Sequence, residues 1–298
     1  MSAEGRAARF LRLAVLSATA LYLVVATGAV VRLTASGLGC DNWPRCGNTP
    51  FPETGGHALI EFSNRVLALA AILCTLAAWL AARRVPGLPR WARLTALAVF
   101  LGAVAQIPLG GLTVIFNLHP LLVMAHFLLA LVVLGAAVVV ALEAWGNAAG
   151  RAAGPLASPR WRWAAAALVG ACLALVVTGT VVTASGPHAG SKDVRRLGVL
   201  LDAVYVHVRA TAVFGVAFLA LLWLAWRLRA SSPLLLRAAL GLLALLGVQL
   251  AVGEIQYRTH LPSWLVLVHV GLAAAVWAWT VGLAAVLWRP PAAVARGE

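Results

Sequence analysis

Long apolar runs, broken by short polar segments, extend along the whole chain. A helix needs about 20 apolar residues to cross ~30 Å of hydrocarbon at ~1.5 Å per residue. Backbone polar groups in lipid must be paired within helices or closed barrels, and these runs are too long and too continuously apolar for barrel strands. The pattern predicts an all-α integral membrane protein with eight transmembrane helices, at about residues 12–33, 59–82, 92–115, 121–143, 162–184, 202–226, 235–256 and 264–288.

The composition excludes the soluble classes of protein. Hydrophobic residues make up 62% of the chain and charged residues 11%, whereas a soluble domain has roughly 45–50% and about 25%. The formal net charge of +14 comes from 23 Lys and Arg against 9 Asp and Glu. In so apolar a chain this excess indicates membrane orientation rather than nucleic-acid binding. Four cysteines are too few for a disulfide scaffold.

The basic residues also predict which side each loop occupies. Most of them fall on the cytoplasmic side if the N-terminus is cytoplasmic, as the positive-inside rule requires. We therefore expect a multi-pass protein of a prokaryotic plasma membrane with both termini in the cytoplasm. The first apolar run is longer than the ~7–15 residues of a signal-peptide core, so we interpret it as a retained helix.

Several motifs occur twice along the chain. Residues 27–31 (TGAVV) reappear as residues 178–182 (TGTVV), and a Thr-Ala-Ser-Gly sequence follows each copy. A repeat of this kind indicates a duplicated fold. Three further pairs each differ by 143 positions: Gln106 and Gln249, Gly110 and Gly253, and His126 and His269.

Each half of the chain holds four predicted spans, and this even number gives both halves the same orientation. The sequence therefore predicts two tandem four-helix bundles related by pseudo-two-fold symmetry about an axis along the membrane normal. The predicted bundles cover residues 1–146 and 161–298. A cytoplasmic linker rich in Gly, Ala and Pro, residues 147–160, would join them.

Three histidines fall inside predicted spans: His126, His207 and His269. Each lies five or six residues from the outer helix end, roughly 8–9 Å deep, and an ionisable residue at such depth is a functional candidate. His207 and His269 belong to helices six and eight of one bundle, where two neutral imidazoles could hold a six-coordinate haem iron. The alternative is two separate packing histidines, each bonded to a Ser, a Thr or a carbonyl. Their matched depth favours haem.

The first half carries a different pair of side chains at the equivalent positions. Subtracting 143 from His207 gives Asn64, so the first half combines Asn64 with His126. Asn is a poor ligand for haem iron, and an open coordination position suits reaction whereas a closed one suits electron transfer. The two halves therefore predict one reactive site and one redox site.

Glu61 precedes Asn64 by three residues and shares its helix face, one turn nearer the outside. We expect it to act in acid–base chemistry or charge stabilisation. The alternative is an interfacial carboxylate paired with Arg65 or Arg32. Four arginines near outer helix ends could pair with haem propionates or anchor the helices: Arg32, Arg65, Arg209 and Arg258.

Cys40 and Cys46 flank Asp-Asn-Trp-Pro-Arg in the first outer loop. The loop would face an oxidising compartment, where a disulfide is plausible. Such a disulfide could be structural, which we favour, or redox-active. A metal site is less consistent with two cysteines that have no clear further ligands.

Taken together, the motifs resemble those of the haem A synthase family. They are TGAVVRLTASGLGCDNWPRC, IEFSNR, QIPLGGLTV followed by His126, TGTVVTASGPHAG, and QLAVGEIQYRTHLP followed by His269. The resemblance covers nearly the whole chain in the right order. It implies an eight-helix membrane oxidase that converts haem O to haem A for cytochrome oxidase, by oxidising the C8 methyl of the porphyrin to a formyl group.

The resemblance also implies roles for particular residues. His207 and His269 would be the axial ligands of a haem b, and His126 would bind or steer the iron of the substrate haem. Glu61 matches the glutamate of the family's Glu-x-x-His-Arg pattern, but Asn64 stands where that pattern has histidine. The outer-loop cysteines of the family match Cys40 and Cys46, whereas the second outer loop lacks the pair that some members carry.

The expected partners are haem O, haem A, the lipid bilayer, a quinone acceptor, a haem O synthase and cytochrome oxidase assembly proteins. A homo-oligomer is compatible with the sequence, and no nucleic-acid partner is expected. The alternative function is a bis-histidine electron-transfer cytochrome, which would favour two complete histidine pairs. A transporter is less consistent, since the ionisable residues gather near the outer face rather than along a midplane pathway.

Overall fold

The computed structural model describes residues 2–40, 43–46, 51–52, 55–188 and 194–296. These residues form eight long helices, a short ninth helix and no strand, and each long helix is apolar and long enough to cross a membrane. The prediction of an all-α protein with eight spans is confirmed. The helices are α1 (Ala3–Leu33), α2 (Gly56–Ala82), α3 (Arg90–Ile115), α4 (Pro120–Ala148), α5 (Pro159–Ser185), α6 (Leu200–Arg227), α7 (Pro233–Arg258), α8 (Ser263–Trp288) and α9 (Ala292–Arg296).

The long helices extend past the predicted apolar spans because local signals set their ends. At the start of α1 the Ser2 side chain accepts a hydrogen bond from the Gly5 amide at 3.1 Å, a typical N-cap contact. Proline occupies the first position of α4, α5 and α7, where its missing N–H costs nothing. At its other end, α4 continues to Ala148, two residues beyond residue 146, which is the predicted end of the first bundle.

The helices pack as two rings of four. In the first ring α1 contacts α2 and α4, and α3 closes the ring by contacting the same two helices. In the second ring α5 contacts α6 and α8, and α7 closes it in the same way. Helices α2 and α4 therefore lie diagonally across the first ring, as α6 and α8 do across the second.

The rings meet chiefly where α8 packs against α1 and α4. The Trp277 indole N–H donates to the Leu131 carbonyl at 2.6 Å, and the Tyr22 hydroxyl donates to the Gly271 carbonyl at 3.2 Å. A Cβ atom at Gly135 would lie 3.0 Å from the Trp277 indole nitrogen, so glycine there leaves room for the tryptophan. These contacts pair polar groups that lipid could not satisfy.

Two equivalent turns support the predicted duplication, which stays a prediction. Between α3 and α4, Asn117 and Leu118 adopt left-handed conformations with φ of 48° and 56°. Between α7 and α8, His260 and Leu261 do the same, with φ of 63° and 61°. In both turns the leucine amide donates to the carbonyl five residues earlier at 2.7 Å. Such conformations cost ~1–3 kcal/mol each outside glycine, so two matching copies point to a common origin.

A buried carboxylate ties the end of α4 to the segment that follows it and to the end of α8. Glu143 is 4% exposed and lies 2.9 Å from the Arg151 guanidinium and 3.2 Å from that of Arg289. Arg151 also donates to the Arg289 carbonyl at 3.0 Å. The sequence analysis did not identify this cluster, which joins the two rings at the end opposite the Cys40–Cys46 loop.

We expect Glu143→Ala to lower the free energy of unfolding by about 2–3 kcal/mol. This is less than the ~3–5 kcal/mol typical of a fully buried pair, because the Arg289 side chain is 43% exposed. The midpoint of thermal unfolding in detergent, followed by circular dichroism, measures the loss.

The matched control is Glu254→Ala, which removes an ion pair whose Arg258 and Glu254 side chains are 77% and 58% exposed. Exposed pairs contribute ~0–1 kcal/mol, so this variant should unfold close to the parent. Equal midpoints for the two variants would contradict the assigned role of Glu143.

Candidate functional site

The first ring encloses a cavity of about 470 Å³, within the ~300–1,000 Å³ range of small-molecule sites. All four helices of the ring line it, together with residues from α5 and α8. Most of its wall is apolar. The predicted site residues of the first half all contribute to the polar part of the wall: Arg32, Glu61, Asn64, Arg65 and His126.

Glu61 is held in a fixed position inside this cavity. It is 6% exposed, and its Oε2 accepts a hydrogen bond from the Cys40 amide at 2.9 Å. Its Oε1 lies 2.5 Å from Nη2 of Arg65, one turn later on α2. The pairing with Arg65 was an alternative in the sequence analysis. Both members of this pair line the cavity.

The loop between α1 and α2 closes over this ion pair. Arg65 donates from Nη1 to the carbonyls of Pro44 and Arg45 at 3.2 and 3.0 Å. The Sγ atoms of Cys40 and Cys46 are joined at 2.00 Å. Between them the structure describes residues 43–45, of which Trp43 and Pro44 line the cavity.

Trp43 packs against α3 at a glycine. A Cβ atom at Gly111 would lie 2.7 Å from the Trp43 ring, so any larger residue would displace the indole. The contact between Gly111 and Trp43 thus determines how far the loop between α1 and α2 lies from α3. The sequence analysis did not assign a role to either residue, although Trp43 lies between the two cysteines.

Asn64 occupies the place in the first ring that His207 occupies in the second. The Thr27 hydroxyl on α1 donates to Asn64 Oδ1 at 2.7 Å. In the second ring, Thr178 Oγ1 on α5 lies 3.1 Å from His207 Nδ1. Both threonines begin the repeated five-residue motif, and this repetition is a signal that could have identified them.

Each histidine packs against a glycine on a neighbouring helix. A Cβ atom at Gly110 would lie 3.2 Å from His126 Cε1, and one at Gly253 would lie 3.1 Å from His269 Cε1. A Cβ atom at Gly179 would lie 3.1 Å from His207 Cε1. Alanine at these positions would therefore press on the imidazoles.

Gly28 is the exception among these glycines. It occupies the position of Gly179 in the first copy of the motif, yet a Cβ atom there would meet no atom within 4 Å. Asparagine is shorter than histidine, so Asn64 leaves space in front of Gly28. Both residues line the cavity, and the substitution of Asn for His thus contributes to its volume.

His207 and His269 lie on helices that face each other diagonally across the second ring. Gln249 on α7 donates from Nε2 to the His269 carbonyl at 3.1 Å and lies 3.2 Å from His269 Nε2. Gln106 makes the equivalent bond to the His126 carbonyl at 3.3 Å. In the sequence these two glutamines stand out only as a matched pair of the repeat.

The four arginines predicted near haem propionates fall into two groups. Arg32 and Arg65 line the cavity, and Arg32 donates to the carbonyls of Thr183 and His188 at 3.0 and 2.8 Å. Arg209 and Arg258 are exposed and are not part of the cavity wall. Arg209 lies over the Tyr205 ring, and Arg258 pairs with Glu254. The structure therefore brings two of the four arginines to the cavity.

The fold and the cavity define a helical membrane protein with a ligand-sized site inside one four-helix ring and a histidine pair across the other. The chain belongs to the COX15-CtaA family, described as cytochrome oxidase assembly protein, whose model matches residues 11–57 and 51–281.

Named relatives fall into two kinds. A Heme A synthase of Symbiobacterium thermophilum is 30% identical over 273 residues, which cover 86% of this chain and 88% of that protein. A Heme A synthase of Bacillus pumilus is 30% identical over 132 residues, 44% of this chain and 43% of that protein.

A Protoheme IX farnesyltransferase of Thermus thermophilus is 32% identical over 290 residues, which cover 88% of this chain and 46% of that protein. The protein of the same name in a second strain of that organism is 31% identical with the same coverage. The chain spans about half the length of these Thermus relatives.

Proposed function

We propose that the chain is a haem A synthase, which oxidises the C8 methyl of haem O to a formyl group. The observation that carries this proposal is the contrast between the rings. The first has Asn64 and His126 across a cavity that contains the buried Glu61, whereas the second has His207 and His269. Family membership and the relatives named Heme A synthase support the same conclusion.

The residues of the second ring fit a bis-histidine haem b. His207 and His269 project from diagonal helices, and each packs against a glycine that leaves room beside the imidazole. Their neutral imidazoles are the donor set that six-coordinate haem iron requires. When bound, haem b would supply one-electron transfer away from the substrate site.

The cavity of the first ring is the proposed substrate site. Its apolar wall suits a porphyrin, and His126 would bind or steer the substrate iron. Arg32 and Arg65 are the cations that could pair with substrate carboxylates, since guanidinium groups bind carboxylates bidentately. Arg209 and Arg258 stay candidates for the propionates of the second haem.

Glu61 is the proposed catalytic residue. The Cys40 amide and the Arg65 guanidinium each donate to one of its oxygens, which holds the carboxylate in one orientation. Such a group can stabilise positive charge beside the substrate or accept a proton from it. The loop joined by Cys40 and Cys46 would hold this arrangement, a structural role for the disulfide.

The Thermus relatives support a position next to haem farnesylation. A segment similar to this chain makes up about half of each protein named Protoheme IX farnesyltransferase. We propose that an enzyme of that kind supplies the substrate and that cytochrome oxidase assembly uses the product. A quinone is the proposed final electron acceptor.

The conversion itself is the first test. Purified protein incubated with haem O and an electron acceptor should yield haem A, detected by chromatography of the extracted pigments. Glu61→Gln should retain haem b but lower the conversion rate by about 10²–10⁴-fold, the usual contribution of general acid–base catalysis.

Glu254→Gln is the matched control, because Glu254 is an exposed carboxylate that also pairs with an arginine four residues later. It should convert haem O at the parental rate. Full turnover by Glu61→Gln would reduce Glu61 to an anchoring residue. A parent protein with normal haem b and no conversion would favour the electron-transfer cytochrome.

The second test concerns the ligands. His207→Ala and His269→Ala should each abolish the low-spin haem b absorption spectrum, because either change removes one axial imidazole. His260→Asn is the control. His260 is exposed, and its backbone has a left-handed conformation that asparagine tolerates. A parental spectrum in either alanine variant would refute the ligand assignment.

A further inference from the structure

We propose that Thr178 and Gln249 are positioning residues that fix His207 and His269 in the tautomer able to bind iron. The inference rests on the proposed haem b site. An imidazole presents a free lone pair on Nε2 only when its proton is on Nδ1, and the partner of the ring decides which nitrogen carries the proton. The groups that contact each imidazole therefore make this choice.

For His207 the choice follows from the single proton of a hydroxyl group. Thr178 donates that proton to the Leu175 carbonyl at 2.8 Å. Its oxygen can then act only as an acceptor towards His207 Nδ1, which lies 3.1 Å away. With the hydroxyl proton directed to that carbonyl, the proton of His207 is on Nδ1, which leaves the Nε2 lone pair available.

For His269 the choice follows from the orientation of an amide group. The Gln249 Nε2 atom donates to the His269 carbonyl at 3.1 Å, which identifies it as the nitrogen end of the amide. The same Nε2 lies 3.2 Å from His269 Nε2. An amide nitrogen only donates, so His269 Nε2 accepts and the proton is again on Nδ1. Iron binding would replace this one hydrogen bond and leave the bond to the carbonyl.

The two imidazoles have different side chains beside Nδ1. His207 Nδ1–H has Thr178 as its acceptor. His269 Nδ1 is buried and has no side-chain hydrogen-bond partner among the described residues, and Gln249 Oε1 is likewise unpaired there. A ligand whose N–H is hydrogen-bonded is the more basic donor to a metal. The contact with Thr178 should therefore make His207 a stronger electron donor to iron.

The first ring retains the same two neighbours with a different outcome. Thr27 bonds to Asn64, and Gln106 bonds to the His126 carbonyl. Here the threonine has no imidazole to orient. The positioning pair is thus present in both halves, but only in the second does it act on two imidazoles.

The test uses the holoprotein, with haem retention, the electron paramagnetic resonance (EPR) spectrum and the reduction potential as readouts. Thr178→Val removes the acceptor at nearly constant shape. It should raise the haem reduction potential, because a less basic His207 stabilises ferric iron less, and should weaken haem binding by about 10–100-fold. Thr178→Ser should restore both properties.

Gln249→Leu removes the bond to the His269 carbonyl, the one that iron binding would leave in place. We expect a similar loss of haem affinity, about 10–100-fold. We also expect broader low-spin EPR signals, because the imidazole of His269 would be less constrained. Matched controls are Thr211→Val and Gln256→Leu. Thr211 bonds to the His207 carbonyl rather than to the ring, and Gln256 lies on α7 about two turns beyond Gln249. Both controls should match the parent in all three readouts.

Two contradictory results can be told apart. If the parent has a bis-histidine haem but either Thr178→Val or Gln249→Leu behaves like its control, the inference fails and the proposed function stands. If the parent contains no bis-histidine haem, the proposed function fails and the inference fails with it.

Discussion

Polar side chains inside a lipid-embedded helical bundle must find partners within the protein, because hydrocarbon offers none. This constraint explains most of the side-chain geometry near the two sites. Thr27 pairs with Asn64 and Thr178 with His207, while glutamines on α3 and α7 bond to histidine carbonyls. Each bond crosses between neighbouring helices, so the polar residues fix helix register and also aim the imidazoles.

The same framework supports two different sites because of small changes in one half. Asn64 replaces an imidazole, and the space in front of Gly28 becomes part of a cavity. The segment between the paired residues is also longer in the first half: 37 positions separate Thr27 from Asn64, against 29 between Thr178 and His207. The longer segment contains Cys40 and Cys46, and its backbone provides the Cys40 amide that binds Glu61.

Much of this arrangement could be predicted from the sequence. Apolar run length gave the eight spans, and the spacing of 143 identified Asn64 as the counterpart of His207. Glu61 followed from the helix face that it shares with Asn64, and Arg65 from its place near a helix end; both lie in the cavity. Other roles could not be predicted in this way. The repeat singles out Thr178 and Gln249, but their roles depend on which neighbour each one faces. Glu143 pairs with Arg151, eight residues later and beyond the end of α4, and with Arg289, 146 residues away, so no helical period connects the three.

The central claim is that one ring holds a complete pair of axial ligands and the other holds an incomplete pair. The most direct measurement is a titration of the purified holoprotein with haem O, followed by EPR spectroscopy of the ferric state. The account predicts one bis-histidine low-spin haem, present before haem O is added, and a second haem that binds with a different, incomplete ligand set. Two bis-histidine haems, or no bis-histidine haem before or after the addition, would contradict it.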